Sequence, residues 1–399
     1  MLGPDTRSAV IGLTAAMLSV KPLVEGIGGP VRVVPVTRTG TKVPDNLSPG
    51  RWRALRALLD RVARRVGVTG LVLSRGDGFG DLEVFDRVVS QRLSLAEVAG
   101  PVGLVPVDRL AEVDRVVDAA LLDTFVGYAH ARTVASPDGT VLSAYEAGAG
   151  EEVIVLVPAC GMPASLSENW MRHLGRDRRV LTWESRGLFG PARHDAEHAT
   201  DIHGQAEDLF AVLDHHHLRD AHVVGLCGGA AVALAAAARH PSRIRSLSLW
   251  HGAYGFAEDC PQTSHQQGLI ELMTAAARSR SAARAVHAAF CQAVLTSTPA
   301  DVAPLVLYPY ADPELLYRYC RLNLGITGAP VEPFLAEVAA PTLVVTSRDD
   351  DIAHPEGSRR VAEGLPDGRL RIEPHGDHIS LFTAGEELLA VAADFISAH

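Results

Sequence analysis

The chain has 399 residues, 47% of them hydrophobic, with a mean hydropathy of +0.11 and a formal net charge of −10 at pH 7. This length exceeds one typical domain and suffices to bury a large core, while the negative charge argues against a nucleic acid as partner. The five cysteines show no C-x-x-C spacing, so the sequence predicts neither a disulfide framework nor a zinc site. We therefore expect a soluble protein without a bound metal.

The first 127 residues form an accessory region that the sequence assigns to no family. Helical periodicity covers residues 51–66 and 107–122, and short apolar runs at 31–36 and 70–74 are typical of strands. This pattern predicts a small α+β region, residues 1–127, whose role the sequence leaves open.

A modestly apolar stretch at residues 9–20 has the position of a targeting signal. It follows Asp5 and Arg7 and lacks a basic n-region and an A-x-A cleavage site, so we reject a secretory signal peptide. By this interpretation no segment reaches the length of a membrane span. The sequence therefore predicts a cytoplasmic protein with no membrane partner.

From residue 130 onward, short apolar runs alternate with helical patterns. Turn residues Pro-Asp-Gly-Thr lie inside a predicted hairpin at 133–145, and the run Val-Ile-Val-Leu-Val at 153–157 is typical of a buried strand. A predicted helix at 205–218 ends in three consecutive histidines, residues 215–217. We interpret these histidines as a solvated helix end rather than as a metal site.

The stretch Gly225-Leu226-Cys227-Gly228-Gly229 joins a predicted buried strand, residues 221–226, to an alanine-rich helix, residues 229–239. Glycine two positions to either side of Cys227 permits the sharp strand-to-helix turn that holds a nucleophile in strained geometry. Cys227 would lie at a helix N-terminus, where unpaired N–H groups and the helix dipole favour the thiolate. Taken alone, the motif is equally compatible with a buried structural cysteine.

Two later strand ends carry residue types that complete a catalytic site. A predicted strand at 341–346 leads into Asp349, Asp350 and Asp351, and a strand at 369–372 is followed by His375 and His378. Each feature alone is weak, because an aspartate cluster is usually a solvated loop and a histidine is usually structural. In the order nucleophile, acid, histidine, each at a strand end, they predict a Cys–His–Asp triad.

With these motifs in place, residues 130–399 resemble an α/β-hydrolase fold, a mostly parallel sheet flanked by helices. The turn Thr-Trp-Glu-Ser-Arg-Gly at 182–187 resembles the Asp-x-Arg-Gly turn of that family, and we interpret Glu184 and Arg186 as structural, with lining of the site as the alternative. The resemblance implies a core in two parts, 128–251 and 339–399. Residues 252–338, with predicted helices at 266–278, 282–295 and 313–324, would form a helical lid that excludes water.

The resemblance also implies roles for individual residues. Cys227 would be the nucleophile and His378 the general base. Asp350 would orient the histidine, because the segment Asp351-Ile352-Ala353 after it resembles the family's pattern. Asp349 is the alternative.

The loop Pro-Ala-Cys-Gly-Met-Pro at 158–163 resembles the family's oxyanion loop. By that match the backbone N–H groups of Met162 and Gly228 would hold the developing oxyanion. Cys160 replaces the usual histidine of this loop and is a candidate pocket residue. The segment Trp250-His251-Gly252, at the end of a predicted strand at 244–250, is a second candidate for lining the pocket, with core packing as the favoured interpretation for Trp250.

A cysteine in place of the usual serine bears on the reaction. A thiolate that attacks a thioester forms another thioester, so the exchange is nearly balanced, whereas a serine ester lies downhill and loses part of the activation. The loop, the turn and the elbow together resemble the thioesterase-like, cysteine-dependent aminoacyltransferases of nonribosomal peptide and polyketide assembly, the syringomycin-type shuttle enzymes. Pro158 stands where that loop more often has asparagine.

This narrower resemblance implies that an acyl or aminoacyl group moves from the phosphopantetheine thiol of one carrier protein onto Cys227 and then to a second carrier. No cofactor bound to the enzyme is implied. Because carrier proteins are commonly acidic, the arginine-rich segments at 51–65 and 278–284 are candidate docking surfaces, with an ordinary solvated face as the alternative. Hydrolysis of a thioester, ester or lactone by the same triad and a noncatalytic binding protein are the other functions left open, as is the oligomeric state.

Overall fold

A computed structural model describes residues 2–41, 47–75, 79–102, 109–190 and 199–399. The chain divides into two compact units, the first comprising Met1–Tyr128 and Cys291–Asp312 and the second Ala129–Phe290 and Pro313–His399. The predicted lid, 252–338, is therefore shared between the two units. The beginning of the helix predicted at 107–122 lies outside the described residues.

The helices and strands are numbered in chain order. The helices are α1 Pro4–Ile27, α2 Pro49–Val66, α3 Val84–Leu93, α4 Leu95–Val102, α5 Leu110–Leu122, α6 Phe125–Tyr128, α7 Glu168–Leu174, α8 Ile202–His215, α9 Gly228–Arg239, α10 Ser264–Ala277, α11 Arg280–Thr296, α12 Ala303–Val306, α13 Pro313–Thr327, α14 Glu332–Leu335, α15 Pro355–Gly364 and α16 Glu386–Ser397. The strands are β1 Val31–Val33, β2 Leu71–Leu73, β3 His130–Ala135, β4 Val141–Ala147, β5 Val153–Val157, β6 Arg179–Trp183, β7 Ala221–Leu226, β8 Ile244–Trp250, β9 Thr342–Ser347 and β10 Gly368–Glu373.

The first unit is organised around α1. Its buried side chains include Val10, Leu13, Met17 and Val20, and the helix packs against α2, α3, α4 and α5. Strands β1 and β2 pair in parallel beside this helical layer. The unit is thus an α+β arrangement in which most of the apolar burial comes from helix packing.

Helix α1 includes the apolar stretch at 9–20. It runs for 24 residues, and its most apolar 18-residue window has a mean hydropathy of 1.5. By its length and composition alone, α1 is long and apolar enough to span a membrane. The expectation that no segment reaches that length was therefore wrong. Half of that window is buried inside the structure, a property that the core helix of a globular unit shares.

The arginine-rich helix predicted at 51–66 is α2. Arg61 and Arg65 form ion pairs with Asp114 and Asp118 of α5, and Arg56 lies 3.9 Å from Asp60 one turn along α2. Part of the basic face is therefore neutralised by neighbouring carboxylates. This pairing favours the solvated-face interpretation over carrier docking for this segment.

The second unit contains an eight-stranded sheet in the order β10-β9-β8-β7-β5-β6-β4-β3. All neighbours run parallel except at one edge, where β4 is antiparallel to both β6 and β3. Every residue of β5, β7 and β9 is buried, as expected of parallel strands covered on both faces. The predicted α/β-hydrolase fold class is confirmed.

The sheet order places three loop beginnings next to one another. Strand β8 lies between β7 and β9, with Leu226 paired to Trp250 and Trp250 paired to Val345. Because the strands are parallel, their carboxyl ends meet at one edge, where ligands bind in open α/β sheets. The residues that follow Leu226, Trp250 and Ser347 are therefore brought close together.

The histidines at the end of α8 differ from one another. His215 and His217 are exposed, as predicted for a solvated helix end, whereas the His216 side chain is 7% exposed. Its Nδ1 lies 2.8 Å from Arg179 Nη2 and 3.8 Å from Glu146 Oε2. The prediction was thus wrong for His216, which packs against the sheet.

Candidate active site

Cys227 occupies the turn between β7 and α9 in strained backbone geometry. Its φ of 53° and ψ of −123° are unusual for a residue with a side chain. The Cys227 N–H donates to the Trp250 carbonyl at 2.9 Å, and its own carbonyl accepts from Ala230 N–H at 3.0 Å. The neighbouring strand and the first turn of α9 thus hold the cysteine in this conformation.

Steric contacts explain the glycine two positions to either side of Cys227. A Cβ at position 225 would lie 2.7 Å from the Ala230 Cα, and one at position 229 would lie 2.5 Å from the carbonyl oxygens of Val157 and Pro158. Both distances are shorter than the closest approach of a Cβ to another non-bonded heavy atom. The G-x-C-x-G spacing is therefore required by the packing of this turn.

Asp350 follows β9 and is 2% exposed. Its Oδ1 accepts backbone N–H groups from Ile352 at 3.0 Å and Ala353 at 2.8 Å. Asp349, the alternative acid, is turned outward, with its Oδ2 3.5 Å from His375 Nδ1. The structure thus brings Asp350, and not Asp349, into the site.

His378 begins a short 3-10 helix, His378–Leu381, that Asp377 caps by accepting the Ser380 N–H at 2.8 Å. The His378 ring is buried, and its Nδ1 lies 2.9 Å from Asp350 Oδ2 and 3.1 Å from Oδ1. A carboxylate only accepts, so this nitrogen carries the proton. The buried Nε2 makes no hydrogen bond with another described residue, and the His378 ring interacts with the Cys227 side chain.

Electrostatics favour a charged His378 beside an ionised Asp350. Burial lowers the pKa of His378, but its interactions with Asp350 and Cys227 outweigh burial and raise that pKa well above its ordinary value. Burial raises the pKa of Asp350, but the charge of His378 and the hydrogen bonds from His251 and His378 lower it overall. The arrangement is that of a protonated imidazole, oriented by an ionised carboxylate, beside the Cys227 side chain.

His251, which follows β8, belongs to the segment that the sequence indicated as a pocket lining, but the sequence assigned it no contact with Asp350 and no role. It is 1% exposed, and its Nδ1 lies 2.9 Å from Asp350 Oδ2. The His251 and His378 ring centres are 5.9 Å apart. The donor atoms of His251, Asp350 and His378 lie within 4.8 Å of one another, a spacing that a metal ion also tolerates, so the absence of a metal stays a prediction. The only sequence signal was a histidine at the end of a predicted buried strand.

The predicted oxyanion donors lie beside the elbow. Gly228 is the first residue of α9, so its N–H is one of those that no intrahelical carbonyl satisfies. A Cβ on Gly228 would lie 4.0 Å from the Cys160 backbone nitrogen, which places the two loops side by side. Met162 N–H donates to the Ala159 carbonyl at 3.2 Å, so it would have to leave this bond to serve an oxyanion. The oxyanion role of both groups stays a prediction.

Helix α13 packs on these loops. A Cβ on Gly161 would meet the Tyr319 ring at 2.6 Å, and one on Gly228 would lie 3.7 Å from the Ile326 side chain. The Tyr319 hydroxyl accepts a hydrogen bond from Asn323 at 3.2 Å. This part of the predicted lid therefore covers the elbow and the oxyanion loop.

Cys160 is 4% exposed beside the elbow. Burial raises the pKa of its thiol, and nearby Cys227 and Cys320 raise it further. A cavity of about 20 Å³, enough for one water molecule, is lined by Cys160, Gly229 and other residues of the surrounding elements. Cys160 is thus placed as a neutral neighbour of the nucleophile rather than as a second thiolate.

Two other candidates are structural. Trp250 is fully buried, stacks edge-on against Trp170 at 4.8 Å and donates Nε1–H to Ser248 at 2.7 Å, so it belongs to the core and not to a pocket. Arg186 is buried in ion pairs with Asp208 and Asp138, which supports its structural interpretation. Glu184 accepts the Ala164 N–H at 3.4 Å and so braces the segment after the oxyanion loop.

Comparison with known proteins also indicates an α/β-hydrolase. A relative named "Putative carbamate hydrolase RutD" from Caulobacter sp. strain K31 is 27% identical over 266 residues, 62% of this chain and 91% of the relative. An L-allo-isoleucyltransferase from Pseudomonas savastanoi pv. glycinea is 25% identical over 178 residues, 44% of this chain and 62% of the relative.

Solved structures agree on the fold. A hydrolase from Pseudomonas aeruginosa PA01 has a TM-score of 0.54 at 21% identity, covering 67% of this chain and 98% of that one. An esterase from Exiguobacterium antarcticum has a TM-score of 0.55 at 15% identity, covering 67% of this chain and all of that one (100%). A sequence profile described as the alpha/beta hydrolase family matches residues 154–391, and the chain belongs to that family.

Proposed function

We propose that this protein transfers an acyl or aminoacyl group between the phosphopantetheine thiols of carrier proteins through a thioester on Cys227. The observation that carries the proposal is the sulfur nucleophile itself, held at the elbow beside His378 and Asp350. A family that acts on esters with an oxygen nucleophile has here the atom suited to thioester exchange.

The first half of the reaction loads the enzyme. The Cys227 thiolate attacks the carbonyl carbon of the donor thioester, and the N–H groups of the oxyanion loop stabilise the tetrahedral oxyanion. The carbon–sulfur bond to the donor pantetheine then breaks, and the departing thiolate takes the proton from His378 Nε2. The products are an acyl-Cys227 thioester, a free donor thiol and a neutral imidazole.

The second half reverses these steps with a new thiol. The acceptor pantetheine thiol gives its proton to His378 Nε2 and attacks the acyl-Cys227 carbonyl. Breaking the bond to Cys227 restores the thiolate beside the imidazolium. Asp350 holds Nδ1–H throughout, so the same histidine tautomer serves both halves.

Two further observations support transfer. Helix α13 covers the elbow through Ile326 and the oxyanion loop through Tyr319, and cover of this kind protects an acyl-enzyme from water. The relative named L-allo-isoleucyltransferase transfers, by its name, an aminoacyl group. The similarity to it covers 62% of that protein.

Intact-protein mass spectrometry tests the proposal. The enzyme is mixed with carrier protein loaded with one aminoacyl or acyl group at a time, and a second, empty carrier is then added. We expect a mass increase of the acyl group on the wild-type enzyme that disappears as the second carrier becomes loaded. Cys227→Ala is expected to show no adduct, and Cys227→Ser to release free acid or hold its ester without passing it on.

Hydrolysis is the second candidate, favoured by the carbamate hydrolase relatives, which align over more of this chain than the transferase does. In hydrolysis a water molecule, activated by His378 Nε2, would take the place of the acceptor thiol. Release of free acid from wild-type enzyme at the rate of loading, with no transfer to the empty carrier, would establish hydrolysis and refute transfer. Absence of any adduct, of any free acid and of any transfer across the acyl panel would contradict both.

A further inference from the structure

His251 repeats, one strand away, the backbone device that presents Cys227. Both residues follow adjacent parallel strands, and both have positive φ, 48° for His251 and 53° for Cys227. The His251 N–H donates to the Val345 carbonyl at 2.8 Å, as the Cys227 N–H donates to Trp250. Positive φ is costly for a residue with a side chain, so the surrounding structure must hold His251 in place.

In this backbone conformation the His251 imidazole contacts one carboxylate oxygen of Asp350. His251 Nδ1 lies 2.9 Å from Asp350 Oδ2, the same oxygen that lies 2.9 Å from His378 Nδ1. Both rings are buried. Because a carboxylate oxygen only accepts, each imidazole presents N–H to it, and the two donors share its charge.

We propose that His251 is a positioning residue that donates Nδ1–H to Asp350 Oδ2 and thereby weakens the hold of this carboxylate on the His378 proton. The inference rests on the proposed Cys227–His378–Asp350 triad, but not on acyl transfer. A carboxylate bonded to His378 alone would keep the imidazolium charged to higher pH. Sharing the carboxylate lets His378 release its proton to a leaving thiolate more readily.

Asp350 does not depend on His251 for its position. Its Oδ1 is fixed by the backbone N–H groups of Ile352 and Ala353. Loss of the His251 donor is therefore expected to leave the carboxylate in place and to return charge from Oδ2 to His378. The His378 imidazolium should therefore keep its proton to higher pH when His251 is replaced. A carboxylate that rotated away from His378 would have the opposite effect.

Within the described part of the chain, the ionisable groups that act most strongly on Asp350 and His378 are the site residues themselves. His378 and His251 act on Asp350 from the ends of the neighbouring elements, and Asp350 and Cys227 act on His378. Asp349 faces His375 instead. A change at His251 therefore reaches His378 through Asp350.

The test compares two alkylating reagents at Cys227. Iodoacetate is an anion that the His378 imidazolium attracts, whereas iodoacetamide is neutral, so the ratio of their rates falls as His378 loses its proton. The rates are measured from pH 5 to pH 10 on the Cys227 peptide by mass spectrometry, which separates it from the other thiols. Cys227→Ala is the blank. The variants are His251→Leu, which lacks the donor, and His251→Asn, whose amide N–H keeps a donor near the position of Nδ1 and tolerates positive φ.

We expect the midpoint of the rate ratio to move to higher pH by about half a unit or more in His251→Leu, a part of the roughly one to two units to which one hydrogen bond to a charged group corresponds. We expect His251→Asn to stay near the wild type. A midpoint that is unchanged or lower in His251→Leu overturns the proposal, as does a His251→Asn midpoint that matches His251→Leu. If His251→Leu does not fold, His251→Met gives the same comparison.

Acyl loading measured in parallel separates this inference from the proposed function. A midpoint shift in a protein that takes no acyl group supports the role of His251 and contradicts acyl transfer. Normal acyl transfer without a midpoint shift supports the transferase and contradicts the role of His251.

Discussion

Of the described residues of the second unit, two aspartates are almost fully buried, and they differ in what they face. Asp208 is 1% exposed and meets the Arg186 guanidinium, with Oδ1 2.6 Å from Nη2 and Oδ2 2.8 Å from Nε. Asp350 is 2% exposed and meets two imidazoles. A guanidinium keeps its proton at every accessible pH, whereas an imidazolium exchanges its proton near neutrality. Burial of a charge is therefore common to both clusters, and only the partner decides whether a cluster can move a proton.

The clusters also connect different parts of the fold. Arg186 joins α8 to the β3–β4 turn through Asp208, Asp138 and Ser136. Asp350, at the end of β9, is joined to the end of β8 through His251 and to the loop after β10 through His378. The Arg186–Asp208 cluster thus ties α8 to the β3–β4 turn. The Asp350 cluster lies at the carboxyl edge of the sheet, where ligands bind in open α/β sheets.

The largest expected effect comes from Asp350→Asn. The asparagine amide would present N–H to His378 Nδ1 and favour the wrong tautomer, and in triads of this kind the loss is about 10⁴-fold in rate. We expect a loss of about this size in the single-turnover rate at which Cys227 takes an acyl group from an acyl-pantetheine thioester. Asp349→Asn is the matched control and should react as the wild type does. Retention of rate within tenfold in Asp350→Asn would contradict the triad.

Asp208→Asn is expected to act on stability instead. It leaves the buried Arg186 guanidinium with the half-exposed Asp138 as its remaining charged partner, and breaking a buried pair in this way costs about 3 to 5 kcal/mol. Urea unfolding measures the loss. The folded variant should keep the alkylation profile of Cys227, because Arg186 and Asp208 contact none of the triad side chains among the described interactions. A stable variant with an altered profile would show that the two clusters are coupled.

Buried parallel strands were the elements that the sequence predicted best. The runs at 153–157, 221–226 and 244–250 coincide with β5, β7 and β8 because such strands are apolar on both faces. Helix ends were less well predicted. Helix α8 begins at Ile202 because Asp201 caps it by accepting from His203 and Gly204, two residues of low helix propensity.

The triad residues were predictable because each follows a recognisable strand, whereas His251 needed the sheet order. Nothing in the spacing between residues 251 and 350 indicates that they meet. They do so because β8 lies between β7 and β9, an order that the chain sequence of strands does not state. The position of Trp250-His251-Gly252 at the end of a strand indicated a lining segment, and in the structure His251 contacts Asp350 while Trp250 packs against Trp170, as favoured for it.

The pH dependence of the unfolding free energy should also distinguish the two clusters, with a smaller effect than the Asp350→Asn and Asp208→Asn substitutions. The raised pKa of His378 stabilises the fold fully below about pH 6.5 and ceases to do so as pH rises through the folded value. The lowered pKa of Asp350 stabilises it above about pH 4 and ceases to do so as pH falls through the folded value. Both contributions are therefore complete between about pH 4 and pH 6.5.

Urea unfolding of Cys227→Ala with and without His378→Gln measures this contribution, since Asp350 is then the remaining anion beside the ring. We expect the difference in unfolding free energy to be largest near pH 5.5 and to shrink toward pH 9.5, by about 1.4 kcal/mol for each pH unit between the unfolded and folded pKa of His378. A difference that grows with pH would mean that His378 is neutral in the folded protein. The Arg186–Asp208 pair provides no alkaline counterpart, because the guanidinium does not titrate in this range.

The smallest effect is expected from Asp138→Asn, which sharpens the comparison within one cluster. Asp138 holds the same arginine as Asp208, but its side chain is 39% exposed. The asparagine oxygen can still accept the Thr140 N–H that Asp138 Oδ1 accepts at 3.0 Å, so the turn keeps its own hydrogen bond. Solvent-exposed ion pairs contribute about 1 kcal/mol or less, so urea unfolding should show a loss of that order, diminishing with added salt. A loss as large as that of Asp208→Asn would mean that Arg186 needs both carboxylates to remain buried, and the exposure of a partner would then not predict its contribution.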